Sequence, residues 1–377
     1  MENKEEIIQR LITNTAEIIT EDEFKALIER GKNEAGQQPT HYIGFEISGY
    51  VHIGTGIMSA LVMKDLTDLG VKCTIWLADW HTWINQKLDG TKESAQRIGQ
   101  GYFAEAMKAS YLAVGGDPEQ LEIRLASEWY SKQPMKFWEN VIKVSQNTSL
   151  SRMLRSVDIM GREAGDNIDH AKTMYPAMQV ADIFFQNIDL AHSGMDQRKA
   201  HVIMRDVATS VRPDQPKPIA LHHPLLIGMQ KPSEWPIPAG KKDKDVAIEM
   251  KMSKSNSKSA LWVHDSPEEI TEKINKAFCP EKEINYNPML NWAGHLLAWN
   301  RTKPFSIERK PEHGGDTEFA NYQDLETAYG AGEIHPADLK NMIARELTQL
   351  LAPVREHFAK PEIAAKKAEL DKLLAQS

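Results

Sequence analysis

Three short stretches hold the residues best suited to chemistry. "GYVHIGTG", Gly49 to Gly56, sets His52 in a glycine-flanked turn. Glycine lets a backbone come close to a phosphate, and an imidazole N–H can donate to a phosphate oxygen. "MKMSKSNSKS", Met250 to Ser259, crowds lysines and serines together with two methionines as its only apolar residues. It has neither a helical period nor strand alternation. It reads either as a solvated surface loop or as a mobile loop whose ammonium groups meet an anion. In "YPAMQVADIFF", Asp182 stands among apolar residues. Burying a carboxylate without a partner is costly, which favours a dedicated donor. Tyr175, Gln179 and Asp182 lie four and three apart, so a helix puts all three on one face. A helix with an ordinary solvated polar side has the same spacing.

The surrounding elements must position these groups. "GYVHIGTG" follows the predicted strand "THYIGFEIS" and precedes the predicted helix "IMSALVMKDLTDLG". In an open parallel sheet, ligands bind at that end of the strands, and a helix N-terminus favours anions. Further strands are predicted in "VKCTIWLAD", "LEIRLASEW", "QNIDLAHSG" and "KPIALHHPLLIG". Their alternation with helices predicts a parallel sheet with crossover helices, an α/β fold. Residues 83–172 read as mostly helical, an insertion on one sheet edge. Residues 4–33 read as amphipathic helices, the second capped by Thr20 with Glu23 three residues on. Residues 231–249 form a Pro/Gly/Lys-rich connection. Ser266 and Glu269 make a second capping box, and the chain is mainly helical from there on. The predicted division is N-terminal helices at 1–36, a Rossmann-like domain at 37–262 with its lysine-rich loop at 250–259, and a smaller helical domain at 263–377.

The 377 residues suffice for two domains. A content of 41% hydrophobic and 26% charged residues indicates a soluble globular protein. No apolar run is long enough to span a bilayer, so no membrane partner is expected. The start, "MENKEEIIQRLITN", lacks the apolar core of a signal peptide. The two cysteines, Cys73 and Cys279, have no metal-like spacing and make no disulfide framework, so a cytoplasmic location is expected. A formal net charge of −8 argues against non-specific coating of nucleic acid. It leaves room for local basic faces such as "DQRKAHVIMRD", "GKKDKD" and "RTKPFSIERK".

Taken together, "HIG" after the first of these strands and "KMSKS" after the last resemble the two signatures of class I aminoacyl-tRNA synthetases. The second is complete from Lys251 to Ser255; the first has Thr55 in place of the family's last histidine. "HYIGFEISGYVHIG", "LADWHTWINQK", "YPAMQVADI", "GMDQRKAH", "SPEEITEKINKAFCP", "HGGD" and "IHPADLKN" occur in the order found in archaeal-type tyrosyl-tRNA synthetases. The resemblance covers the chain from about residue 40 to 350.

The resemblance implies ATP-dependent activation of L-tyrosine and transfer of the tyrosyl group to tRNA(Tyr), with Mg2+ accompanying ATP and no metal site of the protein's own. By the same resemblance, His52, Lys251 and Lys254 act on the phosphates, and Gly54, Thr55, Asp196, Ser253 and Ser255 bind ATP, Asp196 at the ribose. Tyr42 and Asp182 meet the phenol hydroxyl; Tyr175, Gln179 and Gln197 meet the ammonium, backed by Glu46 and His81. Trp76 falls where the family usually has a smaller aliphatic residue. It reads either as core or as a wall that reshapes the pocket. Arg155 and Arg198 are implied to read the acceptor stem. Asp338, His335 and His313 are implied at the anticodon, with 263–377 as the anticodon-binding domain and a homodimer built through the helical insertion. A tryptophanyl enzyme shares these signatures, but the Tyr42/Asp182 pair favours a phenol over an indole. A weakly catalytic RNA-binding paralogue is encouraged only by Thr55.

Overall fold

The computed structural model describes residues 3–161, 168–238, 240, 246, 249–252 and 259–376, with the side chain of His313 also left aside. Ser253, Lys254, Ser255 and Lys258 lie outside the described residues, as does part of the 231–249 connection.

Strands and helices alternate as the sequence predicts and close into one sheet of six strands in the order β1-β6-β5-β2-β3-β4. These are β1 Glu17–Ile19, β2 Thr40–Phe45, β3 Lys72–Leu77, β4 Leu121–Leu125, β5 Leu190–Gly194 and β6 Ile219–His223. Every pairing from β6 to β4 is parallel; β1 alone runs antiparallel, against β6. Its place corrects the expected all-helical N-terminus: α1 Lys4–Asn14 and α2 Glu21–Arg30 flank a three-residue strand that joins the sheet. The β3 sequence is buried from Cys73 to Leu77, and all five residues of β6 are buried, as befits strands covered on both faces.

The helix α3 Ile57–Asp68 leaves the signature turn and is almost wholly buried. After β3 come α4 Asp79–Ile84, α5 Lys92–Ile98 and, through a π-turn at Gly99–Phe103, α6 Ala104–Ala113. Past β4 stand α7 Ala126–Lys132, α8 Pro134–Gln146, α9 Leu150–Arg155 and α10 His170–Phe185. Among its described residues the insertion is thus mainly helical, with β4 as its strand at the sheet edge. The helix α11 Arg198–Val211 links β5 to β6.

The C-terminal part is mainly helical: α12 Pro267–Lys276, α13 Pro288–Trp292, α14 Tyr322–Ala331, α15 Pro336–Leu350, α16 Ala352–Phe358 and α17 Pro361–Leu374. A two-stranded ribbon, Phe305–Ile307 with Thr317–Phe319, interrupts it. Both predicted capping boxes form, Thr20 with Glu23 and Ser266 with Glu269. The last helix folds back on α6 and the turn after β2, where Asp371 accepts from the Tyr50 hydroxyl at 2.5 Å and Lys366 pairs with the buried Glu105 at 2.7 Å. Cys73 and Cys279 are unpaired thiols.

Candidate active site

The carboxyl ends of β2, β5 and β6, the signature turn and one face of α10 enclose a cavity of about 530 Å3. Its wall includes Tyr42, Glu46, His52, Gly54, Thr55, His81, Tyr175, Gln179, Asp182, Asp196, Gln197 and Lys251. The residues that the sequence spreads from Tyr42 to Lys251 therefore share one chamber. Glu46 and His81, expected to stand behind the ligand contacts, both reach the wall itself. Ser59, Lys87 and His223 also line it and were not singled out from sequence. The position of His223 at the end of β6, where open sheets bind ligands, was the available signal.

At one end, Asp182 is fully buried. Its Oδ2 accepts from the Trp76 indole N–H at 3.0 Å and its Oδ1 from the Tyr130 hydroxyl at 2.6 Å. Burial pushes its carboxyl well above the usual range, while Tyr130 and Trp76 pull it down. Trp76 is therefore core behind Asp182 and does not line the cavity. Tyr42 stands beside it, with burial and the Asp182 charge holding its phenol far above the ordinary value. The Tyr42 hydroxyl lies over Gly44, where a Cβ would come within 2.2 Å of its oxygen. Only glycine leaves that space. Gly44→Ala must move the Tyr42 hydroxyl, and the overpacking is expected to cost about 1–3 kcal/mol of stability. Urea unfolding of the variant beside wild type checks this; an unchanged midpoint would mean the Tyr42 ring moves aside at no cost.

In the middle, Gln179 donates to Gln197 Oε1 at 3.2 Å, and Gln197 donates to the Ile159 carbonyl at 3.0 Å. That leaves Gln179 Oε1 buried without a partner among the described residues. A buried acceptor without a donor suits a ligand that brings one. The Tyr175 hydroxyl lies 3.4 Å from Glu46 Oε2, which also accepts from Asn85 at 2.7 Å. His81 packs edge-on to Tyr175 with centroids 4.5 Å apart, and neither of its ring nitrogens has a hydrogen-bond partner among the described residues. Its Nδ1 stands 3.9 Å from Asp182, and burial lowers its basicity to about 3. That separation is too long for a hydrogen bond. His81 is thus a neutral ring and not half of an ion pair.

At the other end lies the signature turn. The Thr55 backbone N–H donates to His52 Nδ1 at 3.2 Å, and Thr55 Oγ1 sits 3.1 Å from His52 Nε2. With Nδ1 accepting, the neutral ring carries its proton on Nε2 and donates it to Thr55. The threonine hydroxyl hydrogen is then available to the cavity. The turn is zipped to the segment after the lysine loop by Ile53 N–H to Leu261 O and Val263 N–H to Val51 O, both 3.0 Å. The feet of that loop are pinned by Met252 N–H to Leu226 O at 2.8 Å and Met229 N–H to Ser259 O at 3.0 Å. Met250 and Met252 are buried, which accounts for the only apolar residues of the stretch. Lys251 Nζ reaches Asp196 Oδ2 at 3.3 Å.

A chain of imidazoles crosses the sheet behind the cavity: His41 to His192 at 3.1 Å, and His192 to His223 at 2.7 Å. His41 Nδ1 has no partner among the described residues. A bare lone pair is cheaper there than an orphaned N–H. The chain therefore runs outward from His41 Nε2–H, and His223 presents Nε2–H at the cavity. His201 and His222 pair beside it at 3.1 Å, and His222 Nδ1 meets Glu17 at 3.1 Å.

The candidate RNA contacts are at the surface. Arg155 is exposed at the end of α9, and Lys199 donates to its carbonyl at 2.9 Å, which ties α9 to α11. Arg198 forms a bidentate pair with Glu17, both bonds 2.7 Å, so its fork is engaged in this state. Far away, the His335 ring accepts from Ala337 N–H at 3.2 Å. It caps α15, whose first turn carries the half-buried Asp338. The His313 backbone ends a 3-10 turn, Pro311–His313.

A family model described as tRNA synthetases class I (W and Y) matches residues 34–352. Curated relatives include the tyrosine–tRNA ligase of Thermococcus sibiricus, 47% identical over 96% of both chains, and that of Pyrococcus abyssi, 45% identical over 95% of this chain and 96% of the other. Among solved structures, the tyrosyl-tRNA synthetase of Pyrococcus horikoshii in complex with L-tyrosine superposes with a TM-score of 0.91 at 43% identity, covering 98% of this chain and 100% of that one. The Aeropyrum pernix enzyme gives 0.78 at 33% identity over 98% of this chain and 99% of that one. With a cavity lined by the His52 turn and by Lys251, and relatives matched nearly end to end, the chain belongs to the class I aminoacyl-tRNA synthetases, in the archaeal-type tyrosyl-tRNA synthetase family.

Proposed function

We propose that this chain is a tyrosine–tRNA ligase whose tyrosine and ATP meet in the 530 Å3 cavity. The observation that carries the reading is the single face of α10 lining that cavity, with Tyr175, Gln179 and Asp182 along it. These three span two helical turns, about 10 Å. That is enough to reach both ends of a tyrosine. The unpartnered Gln179 Oε1, with Tyr175 and Gln197, receives the ammonium. Asp182 accepts from the phenol, and Tyr42 donates to it.

In the first step a carboxylate oxygen of tyrosine attacks the α-phosphorus of ATP, and the bond to the bridging oxygen breaks to release pyrophosphate. The nucleophile is already ionised, so the task is positioning and stabilising negative charge. Thr55, its hydroxyl oriented by His52, and His223 offer donors from the wall. Lys251 exchanges Asp196 for the phosphates, which frees Asp196 to accept from the ribose hydroxyls. Lys254, Ser253 and Ser255 complete the closure from the loop. In the second step a hydroxyl of the tRNA's 3′-terminal ribose attacks the tyrosyl carbonyl and AMP departs. Mg2+ is assigned to the nucleotide's phosphates and water, since it dehydrates reluctantly and favours phosphate oxygens. No described helix is long and apolar enough to cross a membrane. Arg155 and Arg198 are assigned to the acceptor stem, Arg198 exchanging Glu17 for RNA, and Asp338, His335 and His313 to the anticodon. A cytoplasmic location agrees with the two unpaired thiols.

The homodimer is supported by apolar side chains left in water on two successive helices: Met135 and Ile142 on α8, Leu150 and Leu154 on α9, with Met135 78% and Leu150 71% exposed. The double variant Met135→Asp/Leu150→Asp is expected to raise the dimer dissociation constant about 100-fold or more, read by sedimentation equilibrium. An unchanged constant removes α8 and α9 from the interface. The function itself is tested by charging of tRNA(Tyr) transcript with tyrosine and ATP. Charging that ceases in Lys254→Ala and survives in Lys258→Ala supports the assignment; tryptophan charging in place of tyrosine overturns it.

A further inference from the structure

We infer that Trp76 and Tyr130 are positioning residues for substrate selection: they clamp Asp182 from behind, one donor on each oxygen, so that it faces the ligand only as an acceptor. This rests on the reading of Asp182 as the phenol's partner.

The geometry is specific. Trp76 comes from β3, Tyr130 from α7 just past β4, and Asp182 from α10. Neither donor lines the cavity, so each acts through Asp182. Both are fixed by aromatic packing. The Tyr130 ring stacks on Phe137 with centroids 3.8 Å apart and meets Trp76 edge-on at 5.8 Å and Trp80 at 5.5 Å. An ionised carboxylate has about four acceptor positions. The clamp fills one on each oxygen and orients the rest.

Protonation matters as much as orientation. The groups facing Asp182 are Tyr42 on β2, Trp76 on β3, Asp79 and His81 on α4, Tyr130 on α7 and Tyr175 on α10 itself. His81 is neutral, and Asp79 adds repulsion. Tyr130 and Trp76 are the groups that favour the charged form, against burial. A carboxylate here leaves phenylalanine facing an unpaired charge. A carboxylic acid can turn its O–H aside and tolerates phenylalanine better.

The test compares tyrosine- and phenylalanine-dependent pyrophosphate exchange from pH 6 to 9 in wild type, Tyr130→Phe and Trp76→Phe. Tyr130→Phe deletes one oxygen and keeps the ring packing, so it decides the matter even if Trp76→Phe does not fold. Each variant is expected to move the acid limb of kcat/KM for tyrosine upward by about one pH unit. The tyrosine-over-phenylalanine ratio falls by up to about tenfold toward the acid end of the range and recovers toward the alkaline end, with the KM for ATP unchanged. A ratio that falls equally at every pH, or not at all, overturns the clamp. Absence of tyrosine exchange in the wild type would instead overturn the proposed function.

Discussion

Asp182→Ala is expected to cut the preference for tyrosine over phenylalanine by up to about 10^4-fold. A pocket built to pair a hydroxyl rejects the analogue lacking it because buried polar groups are left alone. In the variant, Trp76 Nε1 and the Tyr130 hydroxyl lose their acceptor, and so does the hydroxyl of the substrate tyrosine. Each orphaned donor costs about 1–3 kcal/mol of stability as well. Tyr42→Phe removes a single neutral donor and is expected to cost about tenfold in kcat/KM for tyrosine, with little change for phenylalanine. The ratio of the two exchange rates measures both. A ratio in Asp182→Ala within threefold of wild type would place the phenol elsewhere.

The second large effect is acid lability. Burial lowers the basicity of His41, His81 and His264 to about 3 and of His222 and His223 to about 4. These rings are neutral in the native protein, while the unfolded chain takes up protons below its ordinary value of about 6.5. Stability is therefore complete above that value and is lost as pH falls toward 3–4. Each ring contributes about 1.4 kcal/mol per pH unit in that window. Asp79, Asp182 and Asp265 act the other way, because burial raises their carboxyls and the native state then binds the proton first. Burial lowers His192, His201 and His295 as well, so eight rings stand against these three carboxyls and leave a net loss, sizeable beside a total stability of about 5–15 kcal/mol. The urea midpoint is expected to fall steadily from pH 7 to 5, with net proton uptake on unfolding. A flat midpoint over that range would mean the rings are protonated or exposed in the native state.

Local signals read well from sequence. Thr20 with Glu23 and Ser266 with Glu269 are three residues apart, and each box is decided within one helical turn. The parallel strands announce themselves as apolar runs between helices. The strand Glu17–Ile19 does not, because three residues carry no period. Only its partner β6 makes it a strand. The C-terminal ribbon has the same three-residue length.

The site divides along the same line. Tyr175, Gln179 and Asp182 share a helix, and their common face follows from spacing alone. The partners that define Asp182 lie 106 and 52 residues away, so no pattern in its own segment could name them. From sequence Trp76 reads equally as core or as pocket wall; its indole N–H on Asp182 decides for core. Tyr130, just past the end of β4, carried only its position as a hint. The Glu17–Arg198 fork joins residues 181 apart, and the Tyr50–Asp371 bond joins residues 321 apart. Such contacts are set by topology, which a linear reading sees only in outline.

The most direct test of the whole account is amino-acid-dependent exchange of labelled pyrophosphate into ATP, without tRNA, with tyrosine, phenylalanine and tryptophan in parallel. The cavity predicts exchange with tyrosine, with phenylalanine lower by about 10^4-fold, and none with tryptophan. Exchange with tryptophan, or none with any of the three from folded protein, would contradict it.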